Sequence, residues 1–522
     1  MALWAVRLLR DANGAGECYG GPSMTAPASE HPHHPQHEGA TAFRNALKLA
    51  ASLTLTWGVA IIVMIKLPRY LGPVFYGYYN YGDQFAQSLA VFVSLGVDTY
   101  ISREVAVRPK HASDFFFGVM AARLLVLVPL FTYGFFSLTH KVHEEQIAAG
   151  LFGLAYVFTA LNNTFQQTLQ AASQVGRLAI ANVIAKVLWG GGTLAAVIAK
   201  APFWVLPVPM VLAEGLKAFV LFFASKEAVG LELRLDMRAT KEVLKISVPF
   251  FIANVAVMLG STIDVVVLRE LMPPGSEEIG WYGGARQIAR LSALLSPVLS
   301  GVLIPMMSRA KARDEQEFFR ILRRGFEGVN VISIPITLML ALGAEFWIHI
   351  ALRDKFLPAS ESLRWLAPTF VLAYGNVLLW LALMILDRKW TIVIVSIVGL
   401  ILLPILILIA VPLTRDLGPG GAGMGVAIAM STRELVIVLV FLALLGKQAL
   451  DARAARSTLL SLGISAVVIG VHMWLRSLGP LRLLIDAALY GVLAIALGVL
   501  RIGDARVVLQ LIRDRKKARS QA

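Results

Sequence analysis

Residues 391–412 read TIVIVSIVGLILLPILILIAVP, twenty-two consecutive positions without an ionisable side chain. As a helix rising 1.5 Å per residue this stretch runs about 33 Å, enough to cross a hydrocarbon core of about 30 Å. A window of about 20 predominantly apolar residues, carried outward in both directions, finds thirteen further candidate spans. The fourteen candidate spans run approximately 46–66, 80–101, 115–138, 147–169, 178–199, 204–224, 245–268, 284–307, 322–343, 363–386, 391–412, 424–445, 458–475 and 483–501. Composition agrees: 57% of the 522 residues are hydrophobic, 16% are charged, and the mean hydropathy is +0.70, outside the range of water-soluble domains. The fold class expected is an all-α, polytopic membrane protein.

The net charge of +15 does not indicate nucleic acid, because the basic residues are scattered among apolar helices and no zinc-finger or RNP-type pattern occurs. Their distribution is a topology signal instead. With the N-terminus inside, the cytoplasmic segments hold 31 Lys and Arg and the outer loops hold 11. Both termini are therefore expected to be cytoplasmic. Residues 1–43 read as a disordered cytoplasmic tail, rich in Gly, Pro, Ser and His, with Met24 as an alternative start. The run His31, His33, His34, His37 lacks a scaffold for a metal, and Cys18, the single cysteine, rules out a disulfide within the chain. A second basic tail covers 502–522.

The remaining cations lie inside the spans: Arg123, Lys186, Lys217, Arg286, Arg290 and Arg433, with Asp264 and Glu214 as carboxylates at similar depth. A charge at bilayer depth costs about 2.5–3.5 kcal/mol even on insertion scales, so such groups face a protein interior or a wet cavity. A predominantly cationic interior suits an anionic cargo. The six cations form the candidate substrate-binding set. Arg286 and Arg290 share a helix face at i, i+4. Arg123 has no acidic residue on its own helical face and is expected to line the lumen. Lys217 has Glu214 one turn away as a local partner, Lys186 is close enough to a helix end to snorkel, and Arg433 and Glu434 point to different faces. Asp264 is read as a counter-ion for Arg286 or Arg290, with ion coupling as the alternative for it and Glu214.

An internal repeat sets the architecture. Leu71-Gly72-Pro73, Gly77-Tyr78-Tyr79, Gln84 and Ser102-Arg103 are matched by Pro274-Gly275, Gly280-Trp281-Tyr282, Gln287 and Ser308-Arg309. The glycines permit tight turns and the aromatics suit the membrane interface. Six spans separate the copies, so both have one orientation. The expected domains are an N-lobe at 44–225 (spans 1–6), a cytoplasmic linker at 226–244, a C-lobe at 245–446 (spans 7–12), and two added helices in 447–501. Two six-helix bundles would then enclose a central cavity.

Arg69-Tyr70-Leu71-Gly72-Pro73, Phe75-Tyr76-Gly77, Leu95-Gly96-Val97-Asp98 and Arg103-Glu104-Val105-Ala106 resemble the polysaccharide flippases (Wzx-type) of the multidrug/oligosaccharidyl-lipid/polysaccharide exporter superfamily. Asp264, Ala285-Arg286, Pro305, Phe356-Leu357-Pro358-Ala359 and Leu363-Arg364-Trp365-Leu366-Ala367 extend the resemblance over residues 43–505. It implies a two-lobed transporter that moves undecaprenyl-pyrophosphate-linked oligosaccharide across a bacterial inner membrane, in company with polymerase and chain-length machinery. Fourteen spans is closer to the longer members and to lipid II flippases, whose cargo is also a polyprenyl pyrophosphate. A drug/cation antiporter would want carboxylates in its cavity. A membrane-embedded glycan polymerase or ligase would need a larger outer domain than loops of about 20 residues allow. No phosphate loop of the Gly-Lys-Ser/Thr type occurs, and Gly418-Pro419-Gly420-Gly421-Ala422-Gly423 fits a dinucleotide fingerprint without the strands that motif requires. No cofactor, metal site or catalytic residue is expected.

Overall fold

The computed structural model describes residues 35–98, 101, 112–172, 174–230, 236–291, 296–449 and 451–499. The His31 to His34 run, Cys18, Met24, the Arg103-Glu104-Val105-Ala106 motif and the basic tail lie outside the described residues. All regular structure among the described residues is helical. In chain order the helices are α1 Pro35–Val93, α2 Ala112–Leu138, α3 His143–Ala171, α4 Val175–Ile198, α5 Val208–Val229, α6 Met237–Gly260, α7 Ile263–Leu271, α8 Glu278–Leu291 and α9 Ser296–Arg313. They continue as α10 Glu315–Leu342, α11 Ala344–Leu352, α12 Ala359–Leu366, α13 Pro368–Ile385, α14 Lys389–Thr414, α15 Gly421–Leu445, α16 Ala452–Trp474 and α17 Arg482–Ala496.

Twelve helices among the described residues are long and apolar enough to cross a membrane, two fewer than the sequence count. The difference has two sources. The first two expected spans are continuous in α1, which turns at Gly72 alone (φ 69°), a left-handed conformation that costs glycine nothing. The eighth expected span falls on α8 and α9, which lie on either side of residues outside the described set, and neither is long and apolar enough by itself. Helical backbone also begins at Pro35, inside the stretch expected to be a disordered tail. The reason is local: from Gly39 the composition shifts to Ala, Leu and Lys, which favour helix.

Chain-local chemistry sets several helix ends. Asp236 starts α6 by accepting from the amides of Arg238 and Ala239, and Asp314 starts α10 by accepting from Gln316 and Glu317. Gly230, left-handed at φ 65°, ends α5.

The duplicated motifs meet face to face. A Cβ on Gly77 would lie 3.1 Å from the Gly280 nitrogen, and one on Gly280 would lie 1.9 Å from the Pro73 carbonyl oxygen. Only hydrogen side chains allow the two repeat copies to pack backbone to backbone. The repeat also recurs deeper in each bundle. Asn162 of the fourth span donates through Nδ2 to the Glu214 carboxylate (2.7 Å) and carbonyl (3.0 Å) on the sixth, and Asn376 of the tenth donates to the carboxylate and carbonyl of Glu434 on the twelfth.

Apolar packing follows the same plan. One cluster, including Tyr76, Tyr79, Phe152, Tyr282, Ile348, Phe356 and Leu363, joins residues of both halves around the Gly72 turn. Separate clusters fill the far end of each half, around Phe116, Phe165 and Leu221 in the first and Phe318, Tyr374 and Leu378 in the second. The two added helices, α16 and α17, bury Ile464, Val468 and Tyr490 against Ile334 and Leu338 of α10. They belong to the rim of the second half and leave the interface between halves free.

Candidate functional site

Between the two halves lies a cavity of about 670 Å³, walled by α1, α3, α4, α5 and α8. Its depth follows from the packing just described. The halves are joined tightly around Gly77 and Gly280, α4 packs against α1, and α5 packs against α3 and α4.

Four of the six predicted cations reach this space: Lys186, Lys217, Arg286 and Arg290. Arg286, only 4% exposed, is held by Asp264, its Nε lying 2.7 Å from Oδ2 and its Nη2 donating to Oδ1 at 2.9 Å. Its Nη1 donates to Gln84 Oε1 on the opposite half at 2.9 Å. Asp264 itself has no exposure and accepts from the Tyr282 hydroxyl at 2.6 Å. It stands behind the arginine as its counter-ion. Arg290, one turn on, donates to the Ser261 carbonyl at 2.9 Å and makes no ion pair among the described residues. On the far wall Lys186 lies 3.9 Å over the Trp189 ring, again without an ion pair among the described residues. Lys217 sits 3.8 Å from Glu214.

Arg123 and Arg433 do not line the cavity, which corrects the sequence expectation for both. Arg123 is fully buried, paired with Asp98 at 2.9 Å and bonded to backbone oxygens of Ser94 and Ala160. The expectation considered only the faces of its own helix, whereas its partner is supplied by a neighbouring one. Arg433 pairs with Glu434 at 2.9 Å and turns its Nε to the Gly399 carbonyl on α14.

The sequence reading missed Asp83. It lines the same cavity, accepting from the Tyr156 hydroxyl at 2.7 Å and from Gln84 Nε2 at 2.8 Å. Its place opposite Arg286 in the repeat, one residue before the paired glutamines Gln84 and Gln287, was the available signal. With Asp83 counted, four cavity cations face three carboxylates, Asp83, Glu214 and Asp264. The excess of positive charge is one: among the described residues Arg290 and Lys186 make no ion pair, and neither does Asp83.

The glycine-rich turn before α15 has no strand beside it among the described residues. It accommodates the chain's own Glu278, whose carboxylate accepts from the amides of Gly420 (2.7 Å) and Gly423 (3.0 Å) at the helix N-terminus. Burial pushes this carboxyl above the usual range, and the amides pull it partly back. At the same end the halves are sealed by Glu145 with Arg269 (3.0 Å), Lys141 with Glu270 (2.6 Å), Arg69 donating to the Ala351 carbonyl (2.9 Å), and the Tyr76 hydroxyl with Gln287.

Residues 42–311 match the family described as "Polysaccharide biosynthesis protein". No curated protein matches in sequence. Among solved structures the fold is similar to the lipid II flippase MurJ in an inward closed conformation, at a TM-score of 0.62 and 15% identity over 85% of this chain and 97% of that one. A transporter of the MOP superfamily from Pyrococcus furiosus follows at 0.54 and 14% identity, over 78% and 96% of the two chains. A point mutant of the Vibrio cholerae MATE transporter VcmN gives 0.51 and 12% identity, over 78% and 99%. At these identities the likeness is one of fold.

Proposed function

The chain belongs to the polysaccharide biosynthesis protein family, and from that premise we propose that it flips undecaprenyl-pyrophosphate-linked oligosaccharide across the bacterial inner membrane, with both termini cytoplasmic. The observation that supports this reading is a cavity with one more cation than carboxylates, in which Arg290 and Lys186 make no ion pair among the described residues. A pyrophosphate entering a low-dielectric space needs compensating positive charge. Arg290 presents a planar fork that fits a phosphate through two parallel donors, while Lys186 acts as a point charge. Arg286 contributes from behind, already balanced by Asp264, and so shapes the pocket more than it charges it. The transport step breaks no covalent bond, and the reading assigns no enzymatic activity to the chain. The alternative cargo of an organic cation is disfavoured by the sign of the uncompensated charge.

The test uses a flippase-deficient strain. Arg290→Ala should abolish surface-polysaccharide output while the protein stays at normal abundance in the membrane, and Arg290→Lys should restore part of it. Full output from the alanine variant at normal abundance would remove the anionic-headgroup reading.

A further inference from the structure

We propose that Arg123 is a positioning residue, clamping a break in the second span through which the two halves of the transporter hold together at the end opposite Gly72. The helix α1 ends at Val93, and the chain then takes two consecutive left-handed residues, Leu95 (φ 52°) and Gly96 (φ 66°). That conformation is disfavoured for a residue with a Cβ such as Leu95, so something must impose it. The fully buried guanidinium of Arg123 is placed to do so. Its Nη2 donates to the Ser94 carbonyl before the break (2.8 Å) and to the Asp98 carboxylate after it (2.9 Å). Its Nη1 anchors the assembly to α3 through the Ala160 carbonyl and the Thr164 hydroxyl. A lysine, with one compact donor group, cannot span these sites as a fork does.

The clamped break is also a contact between halves. Asn254 of α6 donates to the Ser94 hydroxyl at 3.1 Å. A Cβ on Gly96 would fall 2.3 Å from the Phe251 nitrogen, and one on Gly118 of α2 would fall 1.9 Å from the Thr240 hydroxyl. All three partners lie on α6, the first helix of the second half. Arg123 therefore acts on this seam at one remove, through Ser94. The helical stretch between Gly72 and the break carries Gly77 of the opposite seal, together with the cavity residues Asn80, Asp83 and Gln84. Separation of the halves at the Gly72 end must swing that stretch about a fixed point, and the clamp supplies it.

The test places spin labels at Gln170 and Lys241, exposed positions at the clamp end of α3 and α6, in the full chain in nanodiscs. A second pair, at His140 and Glu277, reports the Gly72 end. Arg123→Leu and Asp98→Asn should each shift the first pair toward longer separations by about tenfold or more in equilibrium constant, as expected for loss of a hydrogen bond to a charged group, while the second pair keeps its distribution. Leu95→Gly, which accepts the left-handed turn without strain, should leave both pairs unchanged. Asp98→Asn alters few atoms and carries the test if Arg123→Leu does not fold. An unchanged first pair in folded Asp98→Asn protein, or equal loosening of both pairs, overturns the proposal.

Discussion

At the level of single residues, the buried Arg286–Asp264 pair separates structure from transport. Asp264 has no exposure and neutralises a guanidinium that is 4% exposed. Removing one member strands the other charge, which costs about 3–5 kcal/mol, whereas removing both is far less damaging. Asp264→Asn should therefore lower the thermal stability of the purified protein clearly, and Asp264→Asn combined with Arg286→Gln should recover most of the loss. Additive losses in the double variant would show that the two side chains do not form one unit. Arg290→Ala, by contrast, breaks no ion pair among the described residues and should leave thermal stability within about 0.5 kcal/mol of the parent. A large drop there would mean that Arg290 is structural. The sequence could indicate Lys217 with Glu214, because an i, i+3 neighbour is legible in one dimension. It could not indicate Arg123 with Asp98, because that pairing depends on where the preceding span breaks and how two helices then lean together. Asp83 differs: its alignment with Arg286 in the repeat marked it in the sequence, but only the packing of α1 against α3 shows that it faces the cavity.

Among the helices, the glycines decide what can touch. Gly280 lies so close to Pro73 that an added methyl would overlap a backbone oxygen at 1.9 Å, and a backbone atom cannot move aside as a flexible side chain can. Gly280→Ala should cost about 1–3 kcal/mol and loosen the seal at the Gly72 end, read as increased cysteine accessibility at Gln287. Gly150, with open space around its Cβ position, should accept alanine without measurable loss. Equal tolerance at both positions would contradict the close packing of the repeat copies. The repeat itself was visible in the sequence because its turn glycines and interface aromatics recur in order. The fourteen expected spans correspond to twelve long apolar helices among the described residues, because the first two meet at the Gly72 kink within α1 and the eighth falls on the shorter α8 and α9.

For the whole molecule, the expected orientation and the fold constrain each other. The fold places the Gly72 turn, the Gly275 turn and the Gly418 to Gly420 turn at one end, because Pro73 meets Gly280 and Glu278 meets the amides of Gly420 and Gly423. The distribution of Lys and Arg, 31 against 11, leads us to expect that end outside. Reporter fusions placed between Arg415 and Gly421 and between Pro273 and Glu277 should therefore give the same, periplasmic, signal. Fusions after Lys447 and after Arg519 should read cytoplasmic, since two added helices return the chain to its starting side. The outcomes separate two kinds of error. Opposite signals from the first two fusions would contradict the fold, because residues in contact would then lie across a membrane from each other. A cytoplasmic signal from both would leave the fold intact and invert the orientation, so that the seal formed by Glu145, Arg269, Lys141 and Glu270 would close the inner face and the cargo would have to enter from outside, against the direction a surface-polysaccharide flippase requires.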